Sequence, residues 1–78
     1  MKNFLLLSKG RIGDKYTIKK LCKDIDIKTK TRLLELGFFE GETIKILAKS
    51  LVGGVLLVEV RNSALTIRVT EAACVVVI

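Results

Sequence analysis

Between Thr31 and Leu47 the chain reads TRLLELGFFEGETIKIL, and within that stretch its hydrophobic period changes from that of a helix to that of a strand. On a wheel of 3.6 residues per turn, Ile27, Leu33, Leu34 and Leu36 fall on one half, and Lys28, Thr31, Arg32 and Glu35 on the other. Further on, Ile44, Ile46 and Ala48 alternate with Thr43, Lys45 and Lys49, as in a half-buried strand. Gly37 is placed to end the helix, because glycine takes the left-handed backbone conformation without a steric penalty. Gly41 reads as the requirement of a second turn. Asp26 or Thr29 can cap the helix start, since either side-chain oxygen can accept from an unpaired backbone N–H. The spacing therefore predicts one short helix over about 27–36. Phe38 and Phe39 anchor it to a sheet, one inward and one near the rim, and the pattern does not choose between them.

The rest of the chain reads as short strands. FLLL (Phe4 to Leu7) is a first strand, and Gly10 and Gly13 mark a loop after it. Tyr16 and Ile18 alternate with Thr17 and Lys19. After the loop SLVGG, the strand VLLVEVR puts Leu56, Val58 and Val60 on one face. Asn62 and Ser63 are read as a tight turn, asparagine tolerating positive φ. ALTIRV then points Leu65, Ile67 and Val69 inward. TEAA makes a helical turn near 70–73 capped by Thr70, and CVVVI is a last strand. The fold class expected is mainly β: a small closed or nearly closed barrel of about five to six antiparallel strands, which also protects an edge as apolar as CVVVI. With 78 residues, no proline and no linker-like stretch, a single domain over 1–78 is expected, with an aliphatic core because only 5% of residues are aromatic.

Chemistry is harder to find. No histidine is present, which removes the commonest general base and metal ligand and leaves Ser8, Ser50 and Ser63 without a triad partner. The phosphate-binding glycine motifs and CxxC are absent as well. Asp24 and Asp26 read as helix-entry charges, and Glu40 and Glu42 around Gly41 could share a cation only weakly. An enzyme is not expected and no cofactor is called for. Cys22 and Cys74, with no export signal in MKNFLLLSKG, read as reduced, half-buried thiols in a cytoplasmic protein, a disulfide being the less favoured alternative. The net charge of +6 is spread over lysines along the whole chain, which reads as a solvated surface rather than a nucleic-acid footprint. Apolar excess on a hairpin tip is the remaining signal. Leu51 and Val52 sit where polar residues are usual, and Leu57 shares a strand face with Glu59 and Arg61. Either the barrel curls over these residues or they form a patch for another protein.

The order of residues across nearly the whole chain resembles the FeoA family. The run Arg32, Leu33, Leu36, Gly37 and Gly41 followed by an alternating strand carries the resemblance. So do Gly10, Gly13 and Ile18 before it, and Ala64, Leu65, Arg68, Ala72 and Val75 to Val77 after it. Two places depart from the family pattern: Glu40, where proline is frequent, and Gly54–Val55, where Asp-Pro is frequent. The resemblance implies an SH3-like barrel that serves bacterial ferrous-iron uptake without catalysis, through contact with the cytosolic region of the FeoB permease. That contact would place the protein at the inner face of the membrane. By this analogy the contact residues would be Leu51, Val52, Gly53 and Gly54, supported by Leu57, Arg32 and Phe39, with Leu33, Leu36, Gly37, Gly41, Ala64, Leu65 and Arg68 serving structure. Arg32 itself reads as an exposed residue paired to Glu35.

The alternatives stay in view. A related barrel forms the C-terminal module of DtxR-type repressors, which leaves weak divalent transition-metal binding open. The initial Met1 favours a free-standing chain over such a module. A basic nucleic-acid-binding barrel would lose affinity steeply as salt rises. Homo-oligomers built through CVVVI or the SLVGG loop are compatible with the same residues.

Overall fold

In the computed structural model, which describes residues 4–78, helix α1 runs from Ile27 to Glu35. Asp26 is its cap, one carboxylate oxygen accepting from the N–H groups of Lys28 and Thr29 at 3.1 and 3.3 Å. At the other end Gly37 has φ +100°. Its N–H donates to the Leu34 carbonyl, and the Phe38 N–H donates to Leu33, both at 3.0 Å. This pair of backward bonds, with an apolar contact closing over it, is the Schellman arrangement. Leu33 and Phe38 are both buried in the core, so the residue that ends the helix also starts the burial of the next segment. Phe38 is thus the inward phenylalanine and Phe39, 44% exposed, the outer one. Leu34 and Leu36 are half-buried. Ile27 departs from the wheel: it is 71% exposed, and Leu33 is the residue of α1 that the core fully buries.

Six strands, β1 (Leu5–Leu6), β2 (Lys15–Leu21), β3 (Thr43–Lys49), β4 (Val55–Val60), β5 (Ser63–Arg68) and β6 (Val75–Val77), form one antiparallel sheet in the order β1-β6-β2-β3-β4-β5. β2 serves both halves. Lys15 to Thr17 pair with β3, and Ile18 to Leu21 pair with β6, with an irregularity at Lys19 that bends the strand. The sheet curls around Ile18, Ile44, Ile46, Leu56, Val58, Val60, Ile67, Val75 and Val77.

Closure is where the expected barrel and the structure differ. Among the described residues no ladder joins β1 to β5, so the sheet stays open. FLLL supplies only a two-residue strand, because Leu7 enters a 3₁₀ turn (Leu7–Lys9) and drives its side chain into the core. The short helix α2 (Val69–Ala72) packs against that turn and against β4 and β5, and side-chain packing does there what strand pairing would do in a closed barrel.

Two turns also differ from expectation. The β4–β5 hairpin turns on Arg61 and Asn62, at φ 53° and 67°, while Ser63 already pairs with Val60. A two-residue loop whose twist suits the flanking strands needs both central residues left-handed, which moves the turn one residue earlier than Asn62–Ser63. α2 begins at Val69 with Arg68 as its N-cap residue, so Thr70 lies inside the helix and does not cap it. The free N–H of Arg68 is taken instead by the carboxylate of Glu71, at 2.9 Å.

Candidate functional site

The β3–β4 loop holds its shape through one side chain. The Ser50 hydroxyl oxygen accepts from the N–H of Gly54 at 2.9 Å and of Val55 at 3.1 Å, while the Gly53 N–H donates to the Ser50 carbonyl at 3.1 Å. Gly53 has φ +81°, the turn requirement at this tip. The Gly54 carbonyl accepts from the Val69 N–H at 3.0 Å, which ties the loop to the start of α2. Leu51 and Val52 project from this framework at 105% and 94% exposure. Among the described residues nothing curls over them. Leu57, on the outer face of β4 beside Ala48 and Thr66, is half-buried.

Arg32 faces α2 and not its own helix. Its guanidinium forms an ion pair with Glu71, which corrects the expected pairing with Glu35. Glu71 is the one charged residue among the described residues that is buried. The hydrogen bond from Arg32 holds its carboxyl below the usual carboxylate range. Burial opposes that shift, and the Arg68 N–H and the positive charges of Arg32 and Arg68 reinforce it. Glu71 therefore caps α2 and clamps α1 to it with the same carboxylate. The residues Glu71 and Ser50 were missed in the sequence; the capping position of Glu71, three residues after Arg68, was the signal available. Loop and Arg32 both connect to α2, whereas Phe39 lies in the turn leading to β3. Among the residues expected to serve structure, Leu33 and Gly37 are buried, Leu36 and Leu65 pack against the core, and Gly41 (φ +91°), Ala64 and Arg68 lie at the surface.

A second feature went unread in the sequence. Between the end of β2 and α1 lies an open groove of about 520 Å³ floored by Ile18, Leu21, Ile25, Leu34 and Phe38. Lys20, Lys23 and Lys30 stand on its rim against the single carboxylate of Glu40, so part of a charge that looked dispersed along the chain converges here. Cys22 lines the same groove, and its N–H donates to the Cys74 carbonyl at 2.8 Å. Both thiols are half-buried and unbridged. The Cys74 thiol is pushed up to about 11, first by its hydrogen bond with Cys22 and then by burial.

Among the described residues no three His, Cys, Asp or Glu side chains gather around a point that could hold a metal ion. Glu42 lies 3.9 Å from Arg61, a pairing that competes with any cation shared with Glu40. No helix among the described residues is long and apolar enough to cross a membrane.

Comparison with known proteins bears on this geometry. The FeoA domain family matches residues 5–78. The FeoA of Stenotrophomonas maltophilia, solved with zinc and described as a prokaryotic SH3 domain protein, is 33% identical with a TM-score of 0.82, covering 95% of this chain and 89% of that one. A FeoA-like protein from Clostridium acetobutylicum shares the fold at a TM-score of 0.88 and 22% identity, over 100% of this chain and 88% of the other. A manganese-dependent transcriptional repressor shares it too, at 0.86 and 19% identity, but this chain spans only 41% of the repressor while 96% of its own length is matched. A sequence search among curated proteins finds no match. Sequence and fold together place the chain in the FeoA family, and with that membership it is a non-catalytic accessory protein of iron transport.

Proposed function

We propose that the protein works by docking on the cytosolic region of a FeoB-type permease, with the β3–β4 loop as its contact element. The observation that carries this reading is the pair Leu51 and Val52, fully exposed on a loop that Ser50 and α2 hold in one shape. Apolar side chains on a hairpin tip gain nothing from folding, and their burial against a partner would contribute about 1.5–3 kcal/mol each. A loop already ordered loses little conformational freedom on docking. Arg32 contributes indirectly, by fixing α2 under the loop, and Phe39 and Leu57 extend the apolar surface on other sides.

The test is a backbone-amide NMR titration with the permease's cytosolic region at physiological salt, repeated with the double variant Leu51→Ser/Val52→Ser. Shifts centred on residues 51 to 54, lost in the variant and nearly unchanged when salt is doubled, support the reading. Shifts confined to the β2–α1 groove would move the interface there, and an unchanged spectrum at high micromolar partner would remove direct docking on that region. A steep loss of binding with salt would point to the polyanion reading instead.

A further inference from the structure

We infer that Cys22 and Cys74 form a reversible dithiol–disulfide pair that reacts with low-molecular-weight disulfides entering the β2–α1 groove. The two residues stand opposite each other where β2 and β6 run out. Leu21 pairs with Val75, and just beyond the ladder the Cys22 N–H donates to the Cys74 carbonyl at 2.8 Å, while the Cys74 N–H turns back to the Glu71 carbonyl at 3.0 Å. Residues facing each other across antiparallel chains have Cα atoms about 4.5–5.5 Å apart, inside the range that a disulfide spans without backbone movement. Both thiols are half-buried and unbridged, and the proximity of Cys22 together with burial raises the Cys74 thiol above the ordinary cysteine range.

The two sulfurs are not equivalent. Cys22 lines the groove and is half-buried, whereas Cys74 is not among the groove's lining residues. Lys20 and Lys23 stand beside it, and an electropositive, partly exposed setting is where thiols react. The same ammonium groups attract a disulfide that carries carboxylates, such as oxidised glutathione. The Cys74 thiol is raised above the ordinary cysteine range, and Cys74 sits at the turn between α2 and β6. The order of events follows. The Cys22 sulfur, having given up its proton, attacks one sulfur of the reagent; the reagent's S–S bond breaks, and one glutathione leaves and takes up a proton. Cys74 then loses its proton and its sulfur attacks the Cys22 sulfur, and the second glutathione leaves. Two protein thiols are oxidised by two electrons, and one glutathione disulfide is reduced to two thiols. Excess glutathione reverses both steps.

The new bond would close a loop spanning two-thirds of the chain and tie the β6 end of the sheet to the entrance of the β2–α1 loop. Crosslinks of that length raise stability strongly, and here a rise in melting temperature of more than about 10 °C is expected.

The experiment incubates fully reduced protein, without oxygen, with excess oxidised glutathione, alkylates remaining thiols, and reads intact mass and melting temperature. The expected product has lost two hydrogens, carries no alkyl group, remains monomeric, melts higher, and returns to the starting mass with reduced glutathione. Cys74→Ser should stop at a stable glutathione adduct on Cys22, whereas Cys22→Ser should form little adduct on Cys74. Two free thiols after incubation, a stable adduct on the unsubstituted chain, or a disulfide-linked dimer would each overturn the inference. Because the unsubstituted protein alone distinguishes these products, misfolding of either variant leaves the result decisive.

Discussion

Gly37→Ala tests whether the end of α1 is held by backbone conformation. A methyl group placed on Gly37 would meet the Arg61 Cδ at 3.1 Å and a Val60 methyl at 3.5 Å. The second distance is ordinary contact, and the first involves an arginine side chain that is 60% exposed and free to swing aside. Crowding therefore contributes little. The φ of +100° contributes more, since a side chain in left-handed backbone costs roughly 1–2 kcal/mol. In a domain of this size each kcal/mol moves the melting temperature by roughly 4–8 °C, so a fall of about 5–15 °C is expected in circular-dichroism melts, with the urea m-value unchanged. Gly37→Asn separates the two causes: asparagine is larger than alanine but tolerates the left-handed region, so it should lose less stability than alanine does. Gly54→Ala is the control, because nothing lies within 4 Å of the added methyl group, and its melting temperature should stay close to that of the parent. A Gly37→Ala protein that melts within about 2 °C of the parent, or an asparagine variant less stable than the alanine one, would refute the account.

Glu71 sets an acid limit. Its folded-state pKa is lower than in the unfolded chain, so its contribution is complete above the ordinary carboxylate range and is lost as pH falls through the lowered value. Urea titrations from neutral pH down past about pH 4 should show stability dropping in the parent, and Glu71→Gln should flatten that drop. Phe38→Ala removes the apolar half of the helix-end motif from the core and should cost about 3–5 kcal/mol, enough to leave much of the chain unfolded by chemical denaturation.

Legibility from sequence followed the range of the interaction. Asp26, Gly37 and the strand alternation at Ile44–Ile46 and Leu56–Val60 were readable because their causes lie within a few residues: a cap, a left-handed stop, a period. Where the cause is distant in the chain, the local residues do not show it. Arg32 finds Glu71 instead of Glu35 because the fold brings Glu71, 39 residues further along the chain, within reach of its guanidinium, and no local spacing records that. Leu7 leaves its strand because the core needs a plug where the sheet fails to close. Lys20, Lys23 and Lys30 look scattered until β2 and α1 form the two walls of one groove. The loop lies between these cases. Its apolar tip was visible in SLVGG, but the role of Ser50 was not, since a serine before a glycine loop is common and only the backbone geometry turns its hydroxyl toward Gly54 and Val55.

That hydroxyl makes the loop's shape separable from its apolarity. Ser50→Ala keeps Leu51 and Val52 but frees two N–H groups that are already near water, so the cost in stability should be only about 0.5–1 kcal/mol. A tip released from its framework must be ordered again on docking, at about 0.5–1.5 kcal/mol for each side chain that becomes fixed. For the two tip side chains that is about 1–3 kcal/mol, so affinity for the permease region should then fall by about fivefold to a hundredfold, while the set of amides that shift in the titration stays the same. Leu51→Ser/Val52→Ser should remove those shifts and leave the Ser50 bonds, and hence stability, nearly untouched. Isothermal titration of both variants against one partner preparation distinguishes the two roles. If Ser50→Ala binds as tightly as the parent while the double variant does not bind, preorganisation plays no part and contact area alone sets the affinity. If Ser50→Ala abolishes binding outright, the hydroxyl itself touches the partner, and the tip acts as a polar and apolar pair instead of an apolar display.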